Sequence, residues 1–213
     1  MTEETYDFYL HHPFSLIISG PSGSGKTQWV KRLIDTKIIT CFPSPRKVIY
    51  FYGEWQPLYE EMNDVEFVHG FRSEVIENLA TDNPSLIILD DLMYEAVDKR
   101  EIAEFFIKGS HHRNISVILI VQNFFEKGRE SRTISLYEQY IVFFKNPRDK
   151  LAISYFAKQM YPGNSKKFVS VFEEATKKPF SYLFIDLKPA TSENLRLSSN
   201  VSGEEEFATV YKL

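Results

Sequence analysis

Short hydrophobic runs alternate with amphipathic segments along most of the chain. Apolar runs typical of buried strands occupy residues 14–19, 47–52, 65–69, 85–91, 115–123, 140–144 and 181–187. Apolar residues with helical spacing, or runs bounded by helix start and stop signals, occur between them at 28–37, 73–80, 100–108, 149–160 and 168–175. Ser73 is placed to cap the second of these helices. The alternation predicts an α/β fold with a mostly parallel central sheet flanked by helices.

Length and composition indicate one globular domain. The chain has 213 residues, of which 43% are hydrophobic and 25% charged, enough for one substantial core. We expect a single domain over residues 1–189 and a loosely ordered tail over 190–213, where Ser, Asn and Glu predominate. No apolar run approaches the roughly 20 residues that span a bilayer, and the start is acidic, unlike a secretory signal. We expect a soluble, unexported chain without a membrane partner.

Cysteine content and charge restrict the function further. The single cysteine, Cys41, cannot form an internal disulfide, lies in no zinc-binding spacing, and is expected to be a small apolar residue. The formal net charge of −4 speaks against a protein that simply coats DNA. Residues 1–100 carry 9 basic and 16 acidic side chains, whereas residues 101–189 carry 14 and 9. Contact with a polyanion would therefore lie in the second half, although an ordinary solvated surface explains the gradient more simply.

The segment after the first strand matches the phosphate-binding pattern GxxxxGK[ST]. Glycines let such a loop point its backbone N–H groups at phosphate oxygens, and the following helix adds its positive N-terminal end. Lys26 would reach the β- and γ-phosphates, and the Thr27 hydroxyl would ligate Mg²⁺. The apolar strand before the loop and the amphipathic helix after it are the context that this motif requires. The predicted nucleotide-binding residues are Gly20, Pro21, Ser22, Gly23, Ser24, Gly25, Lys26, Thr27 and Gln28.

Two carboxylates end the strand at 85–91. An acid at this position beside a phosphate-binding loop can hold the Mg²⁺ shell, which makes Asp90 the candidate metal partner. Asp91 could polarise the attacking water as a general base, although glutamate is the commoner residue for that task. The alternative is that Asp91 caps the next helix. With the loop, these residues predict ATP and Mg²⁺ as cofactors.

The strand at 115–123 is apolar until it ends in Gln122 and Asn123. In parallel sheets, ligands bind beyond the carboxyl ends of the strands. If this strand lies between the phosphate-loop strand and the Asp90 strand, Gln122 faces the γ-phosphate and senses nucleotide or orients water, while Asn123 fixes the following loop. An amide that merely satisfies loop backbone is the alternative. The inserted strand would also distinguish the chain from nucleoside monophosphate kinases.

Three segments carry a family resemblance: "LIISGPSGSGKT", "SLIILDDL" and "SVILIVQNFFEKGRESRTIS" with the following "YIVFFKNPRDK". They resemble genome-packaging ATPases of the FtsK/HerA superfamily, particularly those of double-stranded DNA viruses and virus-like Polinton transposons, with the poxvirus packaging ATPase a more distant relative. The resemblance extends over roughly residues 12–190. It implies a RecA-like (ASCE) P-loop ATPase that forms a homo-oligomeric ring and threads duplex DNA into a preformed capsid. Capsid or portal-like vertex proteins would be partners, and the host nucleus, a cytoplasmic assembly site or the virion would be its location.

A ring motor completes each ATP site with a cation from the neighbouring subunit. Arg113 precedes the Gln122 strand, and seven strand residues at about 3.3 Å each place it some 20 Å from its own γ-phosphate, so it could act only on a neighbour. The resemblance favours Arg113, while Arg129 and Arg132 are competing candidates. For each of the three, a plain surface arginine is the alternative.

DNA contact by a translocating motor requires weak phosphate contacts that do not depend on base sequence. The candidates are Lys127, Arg129, Lys166 and Lys167, with a solvated face as the alternative. The paired histidines, His11 with His12 and His111 with His112, lack the spacing of metal ligands and are interpreted as structural or surface residues. Two other functions stay open: a helicase or partitioning translocase not tied to a capsid, and a nucleotide-switched assembly factor with little turnover. A small-molecule kinase would need an arginine-rich lid, for which the sequence gives no sign.

Overall fold

The structure is a computed structural model that describes residues 9–79, 82–92, 102, 105–106, 114–125, 138–201 and 208–213. Its strands are β1 (Leu10–His11), β2 (Ser15–Ser19), β3 (Cys41–Phe42), β4 (Lys47–Tyr52), β5 (Glu66–His69), β6 (Ser85–Asp90), β7 (Ile115–Val121), β8 (Tyr140–Phe144), β9 (Tyr182–Asp186), β10 (Leu197–Ser199) and β11 (Thr209–Tyr211). Its α-helices are α1 (Lys26–Asp35), α2 (Lys37–Thr40), α3 (Ser73–Glu77), α4 (Lys150–Met160) and α5 (Ser165–Ala175). Short 3₁₀ helices occupy Pro57–Glu61 and Glu193–Leu195.

Nine of the described strands form one sheet in the order β11-β10-β9-β8-β2-β7-β6-β4-β5. The six from β8 to β5 are parallel, and β9, β10 and β11 continue the sheet in antiparallel pairs. A separate parallel pair is formed by β1 and β3. The predicted α/β architecture with a mostly parallel sheet is confirmed. The prediction that β7 lies between the strand of the phosphate loop and the strand of Asp90 is also confirmed.

The register aligns the ends of the central strands. Ser19, the last residue of β2, pairs with Val121, and Asp90 pairs with Ile120. Because these strands are parallel, all three end at the same edge of the sheet. The residues that follow them, at 20, 91 and 122, are therefore neighbours in space although they are distant in sequence.

Alternating side chains of the strands form two hydrophobic layers, one on each face of the sheet. One layer joins the sheet to α1, whose buried stripe is Trp29, Val30, Leu33 and Ile34. The other layer joins the sheet to α4 and α5 through Phe156, Phe168 and Phe172, among others. Ile102 and Phe106 are buried in this second layer and Phe105 packs against it, as the apolar spacing of that segment indicates. The helices thus hold the central strands from both sides and leave the carboxyl edge of the sheet for polar residues.

Cys41 is buried, with 2% of its surface exposed. Burial raises the pKa of its thiol to about 11, against smaller opposite effects of Thr40 and Lys37. The residue packs in the same layer as Trp29 and Leu33. This agrees with its interpretation as a small apolar residue.

Two helices differ in how their first turn is capped. The Asp149 side chain accepts a hydrogen bond from the Ala152 backbone N–H at 3.0 Å and caps α4. The prediction that Ser73 caps α3 is wrong, because Ser73 is the first helical residue and Arg72 occupies the cap position without a side-chain bond. The Val75 N–H, which a cap side chain could have satisfied, donates instead to the Arg72 carbonyl at 3.3 Å.

The described part of the segment 190–213 differs from the expected loose tail. Strand β10 pairs with β9, and β11 pairs with β10. Arg196 fastens the start of β10, because its guanidinium Nη1 donates to the carbonyls of Asp186 at 3.1 Å and Lys188 at 3.0 Å. Leu197 and Val201 are buried. Backbone pairing on a sheet edge needs few apolar residues, so a polar composition did not reveal it.

No helix in the described ranges combines the length and the apolar character that crossing a membrane would need.

Candidate nucleotide-binding site

Residues 20–25 form the turn between β2 and α1, and their geometry requires glycine at three positions. Gly23 and Gly25 have positive φ angles of 75° and 104°, where side chains are strained. A β-carbon on Gly20 would lie 2.7 Å from both the Phe144 Cβ and the Ser24 Oγ, which is too close for any side chain. The turn therefore brings its backbone tightly around the N-terminal end of α1, where anions bind.

The Ser24 hydroxyl is an unusual feature of this turn. Its Oγ is buried and has no hydrogen-bond partner among the described residues. Buried polar atoms are nearly always bonded, so an orphan of this kind marks a place for another donor or acceptor. A phosphate oxygen at the helix N-terminus would supply that partner.

Lys26 turns its ammonium group back onto the loop. Its Nζ donates to the carbonyls of Gly20 at 2.7 Å and Pro21 at 3.0 Å. Burial lowers the pKa of the Lys26 amine, while the negative charges of Asp90 and Asp91 act in the opposite direction. The cation is thus fixed between the glycine turn and the two carboxylates, where a nucleotide phosphate would approach.

Asp90 is 4% exposed and is held by two tyrosines. The hydroxyls of Tyr50 and Tyr59 both donate to Oδ2 of Asp90, at 2.6 Å and 3.0 Å. Burial raises the pKa of Asp90, and the charge of Asp91 adds to this, while the tyrosine hydrogen bonds and Lys26 lower it. Burial and the nearby Asp90 charge raise the pKa values of both tyrosines, so they remain protonated donors. The pair fixes one oxygen of the carboxylate and leaves Oδ1 without a donor from the described residues.

Asp91 lies at the strand end in a strained backbone conformation. Its φ is +59°, which is uncommon for a residue other than glycine and concentrates at functional sites. Gly53 packs directly against it, since a β-carbon there would lie 2.9 Å from the Asp91 carbonyl oxygen, and the Gly53 N–H donates to the Asp90 carbonyl at 3.2 Å. This packing fixes the backbone of Asp91 at the carboxyl edge.

Gln122 and Asp91 meet, as the strand order requires. The Gln122 side-chain Nε2 donates to Oδ1 of Asp91 at 3.4 Å. The Asn123 Oδ1 accepts a hydrogen bond from the Phe125 N–H at 3.1 Å, which fixes the first residues after β7. The rest of that loop lies outside the described residues, so its fixing by Asn123 stays a prediction. The amide and the carboxylate therefore form one polar group at the position where the end of a triphosphate would lie.

Three partners of this site were not predicted from the sequence. Gln56 accepts a hydrogen bond from the Thr27 hydroxyl at 3.3 Å, and Tyr50 and Tyr59 hold Asp90. Tyr50 lies in the apolar run of β4 and looks like a core residue, whereas Tyr59 lies in a short 3₁₀ helix directly before two glutamates. Gln56 lies in a loop 29 positions from Thr27. One signal was available: tyrosine carries a hydroxyl that needs a partner when it is buried.

The proposed trans-acting arginines and the two loop residues for DNA contact lie outside the described residues: Arg113, Arg129, Arg132 and Lys127. Lys166 and Lys167 are exposed in the first turn of α5. Their contact with DNA stays a prediction. In the part of the chain that the structure describes, no group of three or more His, Cys, Asp and Glu side chains is arranged to hold a metal by itself.

His12 has the structural role that was expected of it. Its Nδ1 lies 2.5 Å from the Ser116 Oγ, and its Nε2 lies 3.1 Å from the carbonyl oxygen and 2.9 Å from the side-chain oxygen of Asn114. Because both Asn114 atoms are acceptors, Nε2 carries the proton and Nδ1 accepts from Ser116. Burial lowers the pKa of the imidazole, and the Asn114 hydrogen bonds act against this. His111 and His112 lie outside the described residues.

The chain is similar in sequence and in fold to viral proteins. The family model for the poxvirus A32 protein matches residues 1–142. No curated protein matches the chain. The genome packaging NTPase B204 from Sulfolobus turreted icosahedral virus 2, solved in complex with ATP-gammaS, is 13% identical, with 94% of this chain and 97% of that chain covered and a TM-score of 0.56.

Two further solved structures have the same fold. B204, the DNA-packaging ATPase from Sulfolobus turreted icosahedral virus, is 15% identical over 83% of this chain and 94% of that chain, with a TM-score of 0.57. The Sulfolobus turreted icosahedral virus 2 B204 in complex with AMPPCP is 13% identical over 93% and 97%, with a TM-score of 0.51. At these identities the likeness shows a common α/β P-loop fold.

Proposed function

The chain belongs to the poxvirus A32 protein family, a family of packaging ATPases, and from this premise we propose that it is an ATP-driven motor that moves double-stranded DNA into a viral or virus-like capsid. The observation that carries the proposal is the position of β7. It lies between β2 and β6 and brings Gln122 to 3.4 Å from Asp91. This places a polar amide beside a candidate base next to the start of the phosphate loop, where the Gly20 N–H donates to the Val121 carbonyl at 3.2 Å, which suits hydrolysis of a triphosphate.

The nucleotide is proposed to bind along residues 20–28. The glycine turn, the buried Ser24 hydroxyl and the N-terminus of α1 form a phosphate site. Lys26, which is held at this turn, would exchange its carbonyl partners for phosphate oxygens. The B204 proteins of similar fold were solved with ATP-gammaS and AMPPCP, which supports an adenosine nucleotide here.

The residues present fit a magnesium ion. Mg²⁺ prefers oxygen ligands, usually one or two protein groups together with substrate phosphates and waters. Thr27 and Asp90 would hold it, and the ion would neutralise charge that develops on the β- and γ-phosphate oxygens. Tyr50 and Tyr59 act as positioning residues, because they engage Oδ2 of Asp90 and leave Oδ1 for the ion. Gln56 orients the Thr27 hydroxyl by accepting its hydrogen bond.

The chemical step proposed is hydrolysis of the γ-phosphate. Gln122 orients a water molecule, and Asp91 accepts one of its protons as the water oxygen attacks phosphorus. The bond from phosphorus to the bridging oxygen breaks, and ADP and phosphate leave. Lys26 stabilises the negative charge that accumulates on the phosphate oxygens. The strained backbone at Asp91, supported by Gly53, keeps the base from turning away.

A ring of identical subunits completes the proposed motor. A cation from the neighbouring subunit would stabilise the transferring phosphoryl group, with Arg113 preferred over Arg129 and Arg132. Duplex DNA would contact Lys127, Arg129, Lys166 and Lys167 through its phosphates. Capsid or portal-like vertex proteins are the proposed docking partners.

The proposed extent of the motor domain and its place in the cell follow from the same premise. Family membership supports an intracellular assembly site, and the nucleus, the cytoplasm and the virion are the alternatives within it. Residues beyond 189 are proposed to belong to the motor domain, because β10 and β11 extend its sheet.

The test is ATP hydrolysis by the purified protein with duplex DNA of increasing length. A motor that tracks along DNA hydrolyses more ATP on longer duplexes, and the activity disappears in Lys26→Ala. Hydrolysis that does not depend on duplex length contradicts translocation. Nucleotide binding with no turnover on any DNA favours a nucleotide-switched assembly factor instead.

A further inference from the structure

Phe180 lies in a tight turn that is built for a different residue. The turn runs from Lys178 to Ser181, between α5 and β9, and both the N–H and the hydroxyl of Ser181 donate to the Lys178 carbonyl, at 3.3 Å and 2.6 Å. Pro179 takes the second position and Phe180 the third, with a φ of +64°. A turn with proline second and a positive φ third normally carries glycine or asparagine at the third position. A bulky side chain there is strained, and such strain is concentrated at functional sites.

The Phe180 side chain lies against the phosphate loop and is nevertheless exposed. A β-carbon placed on Gly25 would lie 3.5 Å from both Cβ and Cδ1 of Phe180, and 3.5 Å from Cε1 of Phe144. The side chain of Phe180 is therefore next to the end of the loop, where α1 begins. It is still 67% exposed. An apolar ring that contacts the loop and faces solvent is available to a ligand of the loop.

The topology places this ring at the end of the site opposite to the catalytic groups. Strand β7, with Gln122 at its end, lies on one side of β2, and β6, with Asp90, lies beyond it. Strand β8 lies on the other side of β2, and its last residue, Phe144, pairs with Tyr182, two residues after Phe180. A triphosphate whose γ-phosphate faces Gln122 directs its nucleoside toward the β8 side. Phe180 stands on that side, at the same edge of the sheet.

We propose that Phe180 is the platform on which the base of the bound nucleotide stacks. This inference rests on the proposed function, because it assigns the base end of the same site. Aromatic side chains stack on the π-face of any base, so the platform holds a purine nucleotide without selecting adenine over guanine. The strain at position 180 is then the consequence of presenting a ring where the turn alone would favour glycine.

The experiment compares two ligands that differ in having a nucleoside. ATP-gammaS and inorganic tripolyphosphate are titrated by calorimetry into the full chain and into Phe180→Gly. We expect the Kd for ATP-gammaS to rise about tenfold, which corresponds to 1.4 kcal/mol of lost stacking, and the Kd for tripolyphosphate to stay unchanged. The melting temperature of Phe180→Gly should rise, because glycine suits the positive φ. Phe180→Trp should bind ATP-gammaS within about twofold of the parent chain, since tryptophan also stacks on bases.

Phe42 provides a matched control. It is also 67% exposed, but it belongs to β3, and its carbonyl accepts from the His12 N–H directly after β1. Phe42→Ser should leave both ligands unchanged. The inference is overturned if Phe180→Gly binds ATP-gammaS as the parent chain does, including the case where only subunit association changes, or if it loses both ligands equally. If the parent chain itself binds neither ligand, the proposed function fails, and the inference fails with it.

Discussion

The two flanks of β2 are built from different kinds of side chain. On the flank of β7 and β6, Asp90, Asp91 and Gln122 are positioned by hydrogen bonds, and buried tyrosines complete the arrangement. On the flank of β8 and β9, the aromatic side chains of Phe144 and Phe180 lie against the glycine turn. The first flank provides the charges that a phosphoryl transfer requires, and the second provides an apolar surface beside the loop.

This division has a consequence for mutants. Polar contacts on the first flank act on the reacting phosphate, so their loss should mainly lower kcat. Aromatic contacts on the second flank are made equally with substrate and transition state, so their loss should mainly weaken binding. Variants on the two flanks should therefore separate in kinetics, and the following experiments test that separation from the largest expected effect to the smallest.

Lys26→Ala should lower ATP hydrolysis on the order of 10³-fold, because the cation that stabilises the transferring phosphate is lost. Steady-state hydrolysis measures this. Lys31→Ala is the matched control, since Lys31 lies on the same helix but pairs with Asp35 at 2.9 Å on its outer face. It should keep nearly full activity, as surface pairs contribute little. Similar losses in both variants would show that the effect is not specific to the loop.

Asp91→Asn should lower kcat on the order of 10²-fold while the KM for ATP changes little, because asparagine cannot accept the proton of water. Gln122→Ala should also lower kcat. Since Gln122 acts through the water that Asp91 deprotonates, the double variant should be little worse than Asp91→Asn alone. Additive losses measured in this cycle would contradict a shared role.

Tyr50→Phe and Tyr59→Phe should each lose a hydrogen bond to a buried carboxylate. We expect the free energy of unfolding to fall by about 1–3 kcal/mol, more for Tyr50, whose bond of 2.6 Å is shorter than the 3.0 Å bond of Tyr59. The Mg²⁺ concentration at half-saturation of nucleotide binding should also rise. Tyr140→Phe, a buried tyrosine whose oxygen accepts from the His11 N–H, is the control that should affect stability alone. If the Mg²⁺ dependence of nucleotide binding is unchanged in the Tyr50 and Tyr59 variants, the proposed positioning role of these tyrosines is contradicted.

The smallest effect is expected at His12, which contacts the beginning of β7, at the opposite end of that strand from Gln122. Its folded pKa is below the ordinary value of 6.5, so the unfolded chain binds more protons between the two pKa values. The contribution of the neutral His12 imidazole to the free energy of unfolding is therefore complete above pH 6.5. It declines as the pH falls through 6.5 toward the folded pKa. Urea unfolding at pH 7.5 and 5.5 should show this decline, and His12→Asn should reduce it. Neither Ser116 nor Asn114, the described partners of the ring, titrates in this range.

The central part of the site could be predicted because its signals are local. Each signal occupies only a few residues: a strand that ends in an amide, a strand that ends in carboxylates, and a glycine loop. The parallel sheet then brings the ends of these strands together. That is why the position of β7 beside the strand of Asp90, with Gln122 at its carboxyl end, could be predicted from the sequence.

The supporting residues could not be predicted because their partners are distant in sequence. Tyr50 and Asp90 are 40 positions apart, and only the pairing of β4 with β6 reveals that they touch. Phe180 was not singled out from the sequence, since nothing local indicates that β9 returns beside β8. The strands β10 and β11 were missed because edge strands are defined by backbone pairing more than by composition.

Burial of Cys41 has a practical consequence for studying a ring of subunits. With a pKa of about 11, roughly one thiol in ten thousand is ionised at pH 7, and the group is also shielded from reagents. Maleimide dyes should therefore not react with Cys41. A cysteine introduced at an exposed position such as Leu151 or Tyr155 would be the sole reactive thiol of the subunit. Each subunit can thus be labelled with one fluorophore at a chosen position without first removing the native cysteine. Counting the photobleaching steps of one assembly would then give its number of subunits.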